Sequence, residues 1–244
     1  MLKKLYDKSQ IWFAVAWIIA YCVLLSVGDS LSVTVGVEKS VTLAVGIILC
    51  AVLFCFLRSE KLLQAYGLCR PKASARSMLW YLPVALMLTA NLWYGLAFHY
   101  GAAETVLYIL SMLCVGFLEE VIFRGLLFEA MRKDNFKTAV IVSSVTFGIG
   151  HMINLVNGSG AELVNNLLQV VYATAAGFMF VMLYCKGGSL LPCIGAHGIF
   201  NALSVFADEK AASQEMRIFT AIALTVITGG YAVYLALTLP EEKK

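Results

Sequence analysis

Three short clusters of polar side chains interrupt stretches that are otherwise apolar. Glu119, Glu120 and Arg124 lie in VGFLEEVIFRG (115–125), Phe147 and His151 in VTFGIGHMIN (145–154), and His197 and Asn201 in CIGAHGIFN (193–201). Together they offer carboxylates, two imidazoles, a carboxamide and a buried ion pair. A carboxylate and an imidazole can jointly take a proton from water when burial and neighbours bring their affinities toward neutrality. A second imidazole and a carboxamide can then donate to the oxygen on which charge develops when a carbonyl is attacked. That set suits hydrolysis of an amide inside a membrane. The same atoms permit a catalytic zinc site with Glu119, His151 and His197 as ligands and a water in the fourth position. The chain carries no H-E-x-x-H, so such a site would be assembled from three helices.

Helical spacing sorts these residues further. Glu120 and Arg124 are four apart and are expected to pair on one face, acid on the N-terminal side. Glu119 is turned about 100° from Glu120 and points to a different partner. His197 and Asn201, also four apart, share a face. Phe147 sits one turn before His151, where it walls a cavity and limits water. Gly148 and Gly150 reduce bulk near that histidine and permit close packing.

The elements that must hold these groups are membrane helices. Of 244 residues, 61% are apolar and 14% charged, too little polar surface for a soluble domain. Apolar runs at 11–28, 41–57, 78–97, 105–127, 138–155, 163–184, 189–206 and 218–239 predict an all-α, polytopic fold of about eight transmembrane helices in one bundle. Residues 1–244 read as a single transmembrane domain without internal repeats. The runs at 41–57 and 189–206 are short for a bilayer. The first, behind MLKKLYDK, reads as a retained helix rather than a cleaved signal.

Charge placement predicts orientation. With both termini cytoplasmic, fourteen Lys and Arg residues fall on inside segments, among them Lys3, Arg58, Lys61, Arg132, Lys243 and Lys244; only Lys39, Lys210 and Arg217 fall outside. The net charge of +3 therefore speaks to topology, and no nucleic-acid partner is implied. The seven cysteines lack paired metal-ligand spacing and read as small buried apolar residues. RSEKLLQAYGLCRPKASARS (58–77) mixes bases with Leu62, Leu63, Tyr66 and Leu68 and predicts a short interfacial helix on the cytoplasmic face.

Taken in order, Glu119-Glu120-Val-Ile-Phe-Arg124, Phe147-Gly-Ile-Gly-His151 and His197-Gly-Ile-Phe-Asn201 fit E-E-x-x-x-R, F-x-x-x-H and H-x-x-x-N. This pattern resembles the CAAX protease and bacteriocin-processing family of intramembrane endopeptidases, over a core of about residues 105–206. The resemblance implies that Glu119 and His151 activate water and that His197 and Asn201 bind the oxyanion. Glu120, Arg124 and Phe147 would support them. It implies a membrane-associated peptide or protein as substrate and, for a chain of this size with short loops, a bacterial cell membrane. A metal-free mechanism is the expectation, with zinc the alternative. As substrate the resemblance implies a peptide pheromone precursor, a bacteriocin leader or another membrane protein.

A non-catalytic immunity or scaffold protein and a small-solute transporter are the rival readings. His99, in an FHYGAAE turn, is given no role, and Asn154, Gln169 and Tyr172 are weaker cavity candidates. One expectation conflicts with a shared site. Counted along spans starting at 105 and 138, Glu119 and His151 lie at depths about 10 Å apart.

Overall fold

A computed structural model of the protein describes residues 2–157 and 162–239. The described residues are helical, joined by turns and one isolated bridge between Leu96 and Ala207. The helices are α1 (Leu2–Lys8), α2 (Gln10–Val35), α3 (Ser40–Ser59), α4 (Leu82–Thr89), α5 (Ala102–Glu119), α6 (Glu129–Arg132), α7 (Phe136–Gly150), α8 (Leu163–Gly187), α9 (Leu191–Leu203) and α10 (Gln214–Leu237). A π-helical segment, Glu120–Phe128, joins α5 to α6 without a break. Long helices satisfy their own backbone groups, which is what a hydrocarbon solvent demands.

Local chemistry sets the helix ends. Ser9 separates α1 from α2 and accepts from the Trp12 amide at 3.2 Å, the N-cap role of a short hydroxyl side chain. Gly36, at φ 77°, ends α2 in the left-handed conformation that glycine adopts without strain. Asn135 and Ser213 cap α7 and α10 in the same way as Ser9.

Among the described residues, six helical stretches are long and apolar enough to cross a membrane, and Leu82–Leu92 and Leu191–Phe206 are shorter apolar helices. The all-α, polytopic fold is thus borne out. The 41–57 run becomes a 20-residue helix rather than a short one. The 78–97 run is corrected: a 3-10 turn over Ala75–Tyr81 precedes α4, which is only 8 residues long. Helix cannot run through this region because Leu79 and Tyr81 take φ of 49° and 57°, and Pro83 starts the next helix where its missing N–H is no loss.

The predicted interfacial helix is also absent from 60–74, which fold as successive turns with bonds such as Leu62 N to Leu57 O and Leu68 N to Leu63 O. Tyr66 is buried, and Leu62, Leu63 and Leu68 pack on the core rather than facing lipid. Of the cysteines only Cys193 is buried, and Cys55 is exposed.

The segments assigned to the inside share one end of the bundle. Lys3 pairs with Glu60 at 2.6 Å, Lys72 N donates to Gly187 O at 2.8 Å, and Leu190 N donates to Gly67 O at 2.8 Å. Lys243 and Lys244 lie outside the described residues. At the other end Lys39 pairs with Asp29 at 2.7 Å, Glu38 N donates to Glu104, and Ala97 N donates to Phe206 O. His99 accordingly ties two loops together, its Nε2 lying 3.0 Å from Ala207 O.

Candidate active site

α5 and α9 cross where Gly116 meets Gly198. A Cβ on Gly116 would stand 2.6 Å from the Gly198 backbone, so the small residues permit the close approach. At this crossing α9 delivers His197 between the two glutamates that lie one turn beyond Gly116. Its Nδ1 lies 2.7 Å from Glu120 Oε1 and its Nε2 3.2 Å from Glu119 Oε2. The adjacent glutamates diverge as helical geometry predicts, but onto opposite edges of one ring, so Glu120 is not confined to Arg124.

The Glu120–Arg124 pair forms at 3.1 Å with both side chains fully buried. Among the described residues Arg124 Nε and Nη2 have no hydrogen-bond partner, and the guanidinium instead lies 4.1 Å from the Phe147 ring centroid and 5.4 Å from that of Phe180. The negative ring faces offset part of the cost of burying that cation. All nine residues of the π-helical segment carrying this pair are buried. Its i to i+5 bonds wind the chain more loosely than an α-helix, a feature frequent at functional sites.

Phe147 stands between the two histidines. Its ring meets His151 at 5.3 Å and His197 at 5.5 Å, both edge-on, while Phe180 stacks on His197 at 5.4 Å. His151 Nδ1 lies 3.1 Å from the Phe147 carbonyl. A carbonyl only accepts, so Nδ1 carries the proton and Nε2 keeps its lone pair.

Two chambers adjoin this wall. One of about 130 Å³ is lined by Tyr21, Glu119, Phe123, Phe147, His151 and Asn154 among others. A smaller one of about 50 Å³ is lined by His151, His197, Asn201, Gln169 and Tyr172. His151 therefore faces both, whereas Asn201 lines the second without Glu119. Among the described residues the Asn201 carboxamide has no hydrogen-bond partner. Asn154 and Gln169, the weaker candidates, hydrogen bond to each other at 3.1 Å. Gly148 packs on the Thr174 and Val170 backbone as expected, but Gly150 meets nothing and only lines the cavity.

The expected mismatch in depth is corrected. Helix continues to Arg132, five residues past the predicted end of that span. Glu119 lies 13 positions before Arg132 and His151 15 positions after Phe136, so both sit roughly 20 Å from the same turn at 1.5 Å per residue.

Sequence reasoning missed Tyr21. Its hydroxyl donates to Glu119 Oε1 at 2.6 Å from the middle of α2. A phenol inside an apolar span needs a partner, and that need was the available signal. Asn166 was missed as well; buried at 1% exposure, it donates from Nδ2 to the His151 carbonyl at 2.9 Å.

For zinc, the donor types suit the metal, and Glu119 and His197 are close enough to share one ion. Among the described residues, however, no group of three His, Cys, Asp or Glu side chains converges as a ligand set. The side chains as placed supply two ligands of the three.

Residues 101–203 match the family profile described as "Type II CAAX prenyl endopeptidase Rce1-like". "Putative membrane peptidase YdiL" of Bacillus subtilis is 36% identical over 104 residues, covering 42% of this chain. The match spans 37% of that relative's length, well under two thirds. No solved structure matches the chain. The matched segment begins at the start of α5, ends at the end of α9 and contains the three motifs around His197 and Phe147. Over this core, residues 101–203, the chain is similar to the Rce1-like CAAX protease family.

Proposed function

We propose that the protein is an intramembrane endopeptidase that hydrolyses a peptide bond in a membrane-associated peptide or protein. The observation that carries this reading is the sharing of one cavity by Glu119 and His151, whose Nε2 has no hydrogen-bond partner among the described residues. A water between them would donate one hydrogen to Glu119 and another to Nε2. Glu119 takes the proton as the water oxygen bonds to the scissile carbonyl carbon. It returns that proton to the leaving nitrogen as the C–N bond breaks.

Tyr21 orients the carboxylate by donating to Oε1, and the water would share Oε2 with His197 Nε2. Glu120 holds His197 through Nδ1, and Asn201 brings an amide donor to the adjoining chamber. These two are the candidates for the oxyanion. Arg124 and Phe147 maintain the wall that positions both imidazoles. Zinc, if bound, would supply Lewis-acid activation at Glu119 and His197; the steps above use the chain's own groups.

Purified, detergent-solubilised protein assayed against a library of membrane peptides tests the reading. Cleavage abolished by Glu119→Gln and by His151→Ala in folded protein is expected. Metal content measured on the same sample, with chelation and restoration, reports whether zinc takes part. Equal product from wild type and Glu119→Gln would overturn the assignment.

A further inference from the structure

A third cavity, of about 640 Å³, adjoins the small chamber through shared walls at Gln169, Tyr172, Phe200 and Leu224. Its remaining lining is mostly polar and includes Asn91, Tyr94, Asn165, Asn166, Glu209 and Arg217. At its mouth Arg217 binds Glu209 at 2.8 Å and lies 5.8 Å from the Tyr94 ring centroid.

Two observations show that this space is fitted for a ligand. Asn166 is 1% exposed and, among the described residues, its Oδ1 accepts no hydrogen bond; the Oδ1 of Asn165 is likewise buried and without a partner among them. A buried acceptor without a donor is costly, and a peptide N–H is the donor that the proposed substrate brings. The cavity is also wired to the candidate catalytic histidine. Asn166 Nδ2 donates to the His151 carbonyl and lies 3.5 Å from Gln169 Oε1, which accepts from Asn154 in the Glu119 cavity.

Position in the bundle adds direction. The cavity reaches residues of the end that carries Asp29, Glu38, Glu104, Glu162, Asp208 and Glu209 against Lys39, Lys210 and Arg217. Toward the opposite, base-rich end the site is floored by the buried π-helical segment and by Tyr66, Tyr184 and Leu190.

We propose that this antechamber holds a polar, extended stretch of the substrate peptide, which reaches the site from the acid-rich end of the bundle. By the positive-inside bias that end is extracytoplasmic. The role rests on the endopeptidase reading, whereas access to the chamber is measurable without it. Access from the basic end is disfavoured by that packed floor.

The test uses the full chain carrying Glu119→Gln, so that bound peptide is not consumed, with Asn165→Cys as the reporter and the parent chain as thiol background. In right-side-out vesicles a membrane-impermeant maleimide added outside should label the reporter at least several-fold above background. A membrane peptide with a polar flank of about four residues, roughly 14 Å long, should slow labelling several-fold, and the same peptide without its flank should not. Labelling only after permeabilisation would overturn the direction. No labelling of folded protein, with normal labelling once denatured, would overturn an aqueous chamber. Equal effects of the two peptides would overturn the role in holding the polar stretch and leave solvent as the occupant. Loss of Glu119-dependent cleavage in the separate peptidase assay would instead count against the enzyme.

Discussion

The Tyr21 hydroxyl donates to Glu119 at 2.6 Å across 98 positions of sequence. This bond ties α2, which lies outside the matched core, to the carboxylate at the centre of the site. A hydrogen bond to a charged group contributes about 1.5–3 kcal/mol. Tyr21→Phe is therefore expected to lower kcat roughly 10- to 100-fold while preserving the melting temperature within a few degrees. Unchanged turnover in purified Tyr21→Phe protein would show that Glu119 needs no such orientation.

His151→Ala removes the second partner of the water without emptying a tightly packed core, since the ring faces two chambers. Loss of general acid–base assistance costs roughly 10²- to 10⁴-fold. The expected result is a fall of that size in kcat, read by peptide cleavage, with a normal gel-filtration profile.

Glu120 and Arg124 are both fully buried, so removing one partner strands the other. Arg124→Ala or Glu120→Ala is expected to destabilise by about 3–5 kcal/mol. Replacing both by apolar residues, as in Glu120→Leu with Arg124→Met, should recover much of the thermal stability. Activity should stay low in the double variant, because His197 Nδ1 loses its carboxylate. Full activity there would mean that Glu120 serves packing alone.

At the α5–α9 crossing, Gly116→Ala places a methyl 2.6 Å from the Gly198 backbone. Backbone cannot yield as a flexible side chain does, so the helices must part and His197 must retreat from Glu119. A loss of stability of about 1–3 kcal/mol and a large loss of cleavage are expected. Gly195→Ala, whose added Cβ meets nothing within 4 Å, is the matched control and should behave as wild type.

The sequence alone determined the membrane class, most of the spans and the three motifs, because apolar runs and i, i+4 spacing are local properties that survive without knowledge of neighbours. It also anticipated that Glu119 and Glu120 point in different directions. Tertiary structure alone decided that both meet His197, since which ring lies between two diverging carboxylates depends on how closely α9 crosses α5. It decided the common depth of Glu119 and His151 too, because hydropathy loses the helix end where Glu129 and Arg132 begin, although hydrogen bonding carries helix through them. Tyr21 and Asn166 reached the site through contacts distant in sequence, and the shortening of the 78–97 run came from backbone geometry at Leu79 and Tyr81 that apolar composition does not encode.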